Sequence, residues 1–101
     1  MKNKDLMQDA IEKWGEEAQL DMIVDKSLIL STAIQNFKKV NLSEDDRYDG
    51  PNYSIAYNEV CERIADMKVM IEQAEFLFNT NEINNHYKHK IEYLREALND
   101  Y

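Results

Sequence analysis

Residues 17–39, EAQLDMIVDKSLILSTAIQNFKK, form the stretch that decides the fold. Leu20, Ile23, Val24, Leu28, Ala33, Ile34 and Phe37 recur at i, i+3/i+4 and i+7 spacing, which predicts an amphipathic helix from Glu17 to Lys39. Ile29 and Leu30 widen the apolar stripe beyond what one neighbouring helix covers. The pattern therefore predicts burial on two sides, by a long partner helix and by a second subunit.

Working outward, a first helix is expected from Lys4 to Trp14 on Leu6, Met7, Ala10, Ile11 and Trp14, with Gly15 closing it as a C-cap. Downstream, Val40 to Asn52 reads as an acidic loop with Ser43, Glu44, Asp45, Asp46, Asp49, Gly50 and Pro51, and Arg47 as its only cation. A long helix from Ser54 to Asn79 carries Tyr57, Val60, Ile64, Met67, Ile71, Ala74 and Phe78 on one face. After a turn at Asn79, Thr80 and Asn81, with Thr80 or Asn81 as the cap, a fourth helix from Glu82 to Asn99 bears Ile83, Tyr87, Ile91, Leu94 and Leu98. The reading is all-α: a four-helix, bundle-like protomer with two long helices, one domain over residues 1–101, oligomerising through helix packing.

Composition narrows the function classes. The 101 residues include 2 Gly and 1 Pro, where average usage gives about a dozen. Barrels, sandwiches and Gly-rich phosphate loops are excluded on that shortage. Twelve Lys+Arg against 20 Asp+Glu leave a net charge of −8, which disfavours generic nucleic-acid binding. Cys61 is a lone cysteine, read as a small core residue with no activating base beside it. The opening MKNKDLMQDAIEKWG lacks an apolar signal core, and no run approaches the ~18 apolar residues that span a bilayer. A cytoplasmic protein without membrane partners is the expectation.

Several clusters could carry chemistry. Glu59, Glu62, Arg63 and Asp66 share one side of the third helix, and Asp21 and Asp25 form an i, i+4 pair followed by Lys26. Carboxylates on facing bundle helices can hold Mg²⁺, and the same spacing also describes a solvated, ion-paired acidic face. His86 and His89 lie three apart, without a third strong ligand, among Lys88 and Lys90. Trp14 is either a core anchor or a base-stacking platform, and Tyr48 and Tyr53 flank the Gly50-Pro51 turn.

Three segments carry a family resemblance. AIEKWGEEAQLDMIVDKSLILSTAI (residues 10–34), EVCERIADMKVMIEQAEFLF (59–78) and KHKIEYLREAL (88–98) together resemble the MazG-like all-α nucleoside triphosphate pyrophosphohydrolases, especially small phage and prophage members. The likeness covers nearly the whole chain outside residues 40–52. It implies cleavage of a nucleoside triphosphate to a monophosphate and pyrophosphate, with clustered carboxylates holding Mg²⁺ at a site between helices of a dimer or tetramer. Carried over residue by residue, Asp25 stands at the first carboxylate of the family's Glu-Glu-x-x-Glu, Lys26 at the second and Ile29 at the third. On the later helix Glu62 and Asp66 match, and Arg63 replaces a Glu.

The resemblance thus implies Asp25, Glu62 and Asp66 as the metal set if metal is bound. Lys26, Arg63 and Lys90 become candidate phosphate contacts, and Trp14 and Tyr53 candidate base-pocket residues. Two cations and an aliphatic side chain at ligand positions repel or cannot hold Mg²⁺, so the expected function is a catalytically impaired relative that binds a nucleotide or a protein partner. The alternatives are an active, divergent Mg²⁺-dependent enzyme rebuilt from Asp21, Asp25, Glu59, Glu62 and Asp66, and an acidic phage-type inhibitor of a host protein.

Overall fold

The computed structural model describes residues 3–42 and 50–99, which form four helices: α1 (Lys4–Trp14), α2 (Glu16–Leu42), α3 (Gly50–Leu77) and α4 (Thr80–Asn99). Gly15 ends α1 at φ +87° and ψ 160°, a conformation essentially reserved for glycine, and its N–H donates to the Ile11 carbonyl at 2.8 Å. Helices take up both ends of the stretch 40–52 expected as a loop. Helix α2 runs on to Leu42, and α3 begins at Gly50 with Pro51 in its first turn. There a proline's missing N–H leaves no helical bond unmade, so Gly-Pro starts the helix instead of ending a loop. Residues 43–49, including Tyr48 and most of the acidic segment, lie outside the described residues. The cap of α4 falls one residue earlier than expected: Asn79 Oδ1 accepts the Glu82 N–H at 3.1 Å.

Helices α2 and α3 pack antiparallel. Lys26 Nζ lies 3.9 Å from Asp66 Oδ2, while Phe37 stacks near Tyr53 and Tyr57 at ring separations of 5.6 and 6.2 Å, so rising numbers on α2 meet falling numbers on α3. Among the more buried positions, one set on each helix steps by three and four: Gln19, Ile23, Lys26, Leu30, Ala33, Phe37 and Val40 on α2, and Tyr53, Ala56, Val60, Arg63, Met67, Met70 and Ala74 on α3. This is a coiled-coil seam. It differs in phase from the expected stripes. Val24, Leu28 and Ile34 on α2, Tyr57, Ile64 and Ile71 on α3, and Phe78 just past the end of α3 are exposed. Cys61, expected inside, is exposed as well.

The described core is thin. Its buried side chains are Met7, Ala33 and Met70 with two glutamines, Gln19 and Gln73. Helix α1 packs on both α2 and α3, whereas α4 meets α3 alone among the described helices and buries no residue. The antiparallel register sets Gln19 opposite Gln73, at the end of the hairpin where the chain enters from α1. Gln19 is 0% exposed, and neither of its amide atoms, nor Gln73 Oε1, has a hydrogen-bond partner among the described residues. A buried amide left unpaired costs about 1–3 kcal/mol. Gln19→Leu is therefore expected to raise unfolding stability by about 1 kcal/mol in urea titration; a loss of stability would show that the amide is satisfied.

The molecule is also more open than its mass warrants. Its radius of gyration is 17.5 Å, against about 13 Å for a compact chain of this length. Its accessible surface is 8181 Å² at 12.0 kDa, about 2,000 Å² above the roughly 6,000 Å² of a folded monomer that size. Exposed large apolar side chains contribute to it. From Ser27 to Phe37 helix α2 carries no charged residue on any side, yet Leu28, Ile29 and Ile34 face solvent. Large apolar side chains grouped on an exposed helix surface are ordinarily covered by another surface.

Candidate functional site

The seam admits two cations, Lys26 and Arg63, at positions where coiled coils usually place apolar side chains. Arg63 is the better buried, at 21% side-chain exposure, and it gathers the carboxylates of its own helix. Its Nη1 donates to Asp66 Oδ2 at 3.0 Å, and its Nη2 donates to Glu62 Oε2 at 2.8 Å. Its Nε lies 3.2 Å from Glu59 Oε1, off the line along which its N–H would donate, so this third contact is ionic and the buried Nε has no hydrogen-bond acceptor. Helical spacing builds this fan. Residues i−4, i−1 and i+3 around Arg63 all lie within reach of one guanidinium on the same side of the helix.

From the facing helix, Lys26 adds a second cation 3.9 Å from the Asp66 oxygen that already accepts from Arg63. Asn58 donates to the other oxygen of Glu62 at 3.3 Å. Asp66 is therefore bracketed by two cations from two helices, and Glu62 by a guanidinium and an amide. The result is a closed polar clasp between α2 and α3. Glu59 and Glu62 are about half exposed, so their pairs are worth at most about 1 kcal/mol each. The Asp66 pairs, two-thirds buried, contribute more.

Beside the clasp the hairpin opens a cleft of about 390 Å³, lined by Ala33, Asn36 and Val40 from α2 and Asn52, Ile55, Ala56 and Glu59 from α3. Its floor is low because two seam positions there, Ala33 and Ala56, carry small side chains. The opposite side of the hairpin carries two adjoining grooves that share Ile64. One is lined by Phe37, Tyr57, Val60 and Cys61, the other by Leu30, Met67 and Ile71 with Lys68 and Glu72. The hairpin thus has a polar, acidic side and a largely uncharged side.

No family profile, curated protein or solved structure matches this chain. Of the residues assigned from the sequence, Lys26, Glu62, Arg63 and Asp66 come together, and Asp25, exposed, joins no ion pair among the described residues. Among the described residues no three His, Cys, Asp or Glu side chains are arranged as a metal-holding group. Mg²⁺ does not fit the donor set present: one oxygen of Glu62 and one of Asp66 already accept from Arg63, and a cation placed among these carboxylates would lie beside two positive charges.

Lys90 is separate from Lys26 and Arg63. It lies on α4, which does not touch α2, in a shallow hollow with His86, His89 and Tyr93. Trp14 is no core anchor: it is 54% exposed, with Lys13 Nζ 5.5 Å from its ring centroid. Tyr53 sits in helix α3, stacked on Tyr57 at 6.1 Å and against Phe37, so it helps close the seam and does not line the cleft. Asn36 and Asn52 were missed from the sequence. No local signal marks them, because the two alanines that make room, Ala33 and Ala56, lie on different helices.

Proposed function

We propose that the chain is a catalytically impaired protein of MazG-like build that works as a helical binding module, assembling with itself and holding a protein partner. The observation that carries this reading is the clasp. Three carboxylates that a metal enzyme of this build would turn toward a cation converge instead on Arg63. The clasp also disfavours a bare phosphate. Its two cations are outnumbered by three carboxylates, so an incoming phosphate meets net negative charge.

Self-assembly is supported by the uncharged side of the hairpin. Its grooves, the uncharged stretch of α2 and the surplus surface of about 2,000 Å² match what a stable subunit contact covers. Pairing two hairpins through this side would complete the four-helix arrangement that α4 does not provide within one chain. The acidic balance, −8 overall, suits a basic protein target. The active-enzyme alternative requires Asp21, Asp25, Glu59, Glu62 and Asp66 to turn toward one ion, which means releasing Arg63 from all three of its partners.

Asp66→Asn separates the readings. In the clasp it removes a charge from Lys26 and Arg63 and lowers stability by about 1–2 kcal/mol. Nucleotide turnover is absent before and after the change. A wild-type protein that turns over nucleotide and loses that activity in Asp66→Asn would establish the enzyme instead.

A further inference from the structure

We propose that α4 is an exchange arm, received by a second copy of this chain on the acidic side of its α2–α3 hairpin. The proposal rests on the self-assembly stated above and names a contact which that reading leaves open.

At about 100° per residue, Tyr87, Ile91, Leu94 and Leu98 fall within about 60° of one another on α4. Tyr87, Leu94 and Leu98 are each more than half exposed. The stripe is bordered by cations on both margins, Lys88 and Arg95 on one and Lys90 on the other, while Glu82, Glu92 and Glu96 lie farther round the helix. Arg95 pairs with Glu92 at 2.8 Å, whereas Lys88 and Lys90 meet no carboxylate among the described residues. The stripe needs cover, and its rims need acid.

Among the described residues its own chain supplies neither, since α4 contacts α3 alone of the described helices. Pairing α4 with α4 is opposed by charge. In parallel or antiparallel register the cationic margins of one stripe meet those of the other. The acidic side of the hairpin answers both requirements. Asp21 and Asp25 on α2 are exposed and unpaired among the described residues, and Glu59 and Glu62 on α3 keep about half of their surface in solvent. On the same side lie the exposed Ile29 and Ile55 and the cleft floored by Ala33 and Ala56, which Glu59 lines and which has room for branched side chains such as Leu94 and Leu98. A cation-rimmed apolar stripe and an acidic face that opens into a partly apolar cleft are complementary in sign. The cleft lies across the hairpin from the uncharged side, so both contacts can form in one assembly.

The test mixes full-length ¹⁴N and ¹⁵N chains and joins amines to carboxylates with a zero-length carbodiimide. Mixed-isotope cross-links from Lys88 or Lys90 to Asp21, Asp25, Glu59 or Glu62 are expected. The double variant Leu94→Asp, Leu98→Asp should lose these links and weaken self-association about a hundredfold, with helicity by circular dichroism unchanged. Cross-links from α4 confined to single-isotope pairs, a monomeric wild type, or a variant that assembles and links like wild type would each overturn the arm. The readout is contact between chains, so it succeeds or fails independently of whether Arg63 blocks metal binding.

Discussion

Arg63→Glu is expected to make the stability of this protein depend on Mg²⁺. In the wild type the guanidinium offsets Glu59, Glu62 and Asp66 at 2.8 to 3.2 Å. The substitution removes that charge and adds a fourth carboxylate at the centre of the cluster, leaving Lys26 as the one cation beside it among the described residues. Like charges held about 5 Å apart in a partly buried setting repel by several kcal/mol before relaxation, and the net loss of folding stability should be about 2–3 kcal/mol. For a chain of this length that lowers Tm by roughly 10 °C or more.

The same change creates an oxygen-rich site of the kind hard divalent cations choose. Millimolar Mg²⁺ should then restore most of the lost Tm, because an ion that binds only the folded state stabilises it by mass action. Wild-type Tm should not respond to Mg²⁺ beyond the general effect of salt, which equal ionic strength in NaCl controls for. An Arg63→Glu protein insensitive to Mg²⁺ would mean that the carboxylates do not converge as described.

Ile64→Asp is expected to turn the assembled protein into a monomer. Ile64 is 45% exposed in the single chain and borders both grooves on the uncharged side of the hairpin. If two hairpins pair there, a two-fold arrangement buries a new carboxylate from each copy, a cost of several kcal/mol that no nearby cation offsets except Lys68 at the groove margin. Sedimentation should show at least a hundredfold weaker association, with Tm falling as contacts between subunits are lost. Were Ile64 simply a solvent-facing residue, the substitution would leave mass and Tm unchanged. That result would remove the uncharged side from the assembly.

The helices themselves were legible because few breakers interrupt the chain and the apolar spacing is long. Gly15 ends α1 where expected, and the all-α class follows from the same pattern. The phase of the α2–α3 seam was not legible. Apolar residues occupy two faces of α2, so Leu20-Val24-Leu28 and Ile23-Leu30-Phe37 compete as the packing stripe, and only the partner helix decides between them. The seam took the second set together with Lys26, and on α3 it took Arg63 and gave up Ile64 and Ile71.

The candidate site was legible in kind and less so in arrangement. Helical spacing already put Glu59, Glu62, Arg63 and Asp66 on one side of α3. That Arg63 would turn inward and draw all three acids to itself depends on the antiparallel register with Lys26, which no single helix specifies. Asn36, Asn52 and the cleft between them depend on two alanines at seam positions of different helices, a pairing that local pattern does not reveal.

The most direct test of the clasp is calorimetric titration of the wild-type protein with Mg²⁺, then with each common nucleoside triphosphate, while pyrophosphate release is followed in the same samples. Arg63 at the centre of the carboxylates predicts no saturable Mg²⁺ heat and no release above the uncatalysed background. Saturable Mg²⁺ binding with steady release of pyrophosphate from any of the nucleotides would contradict it.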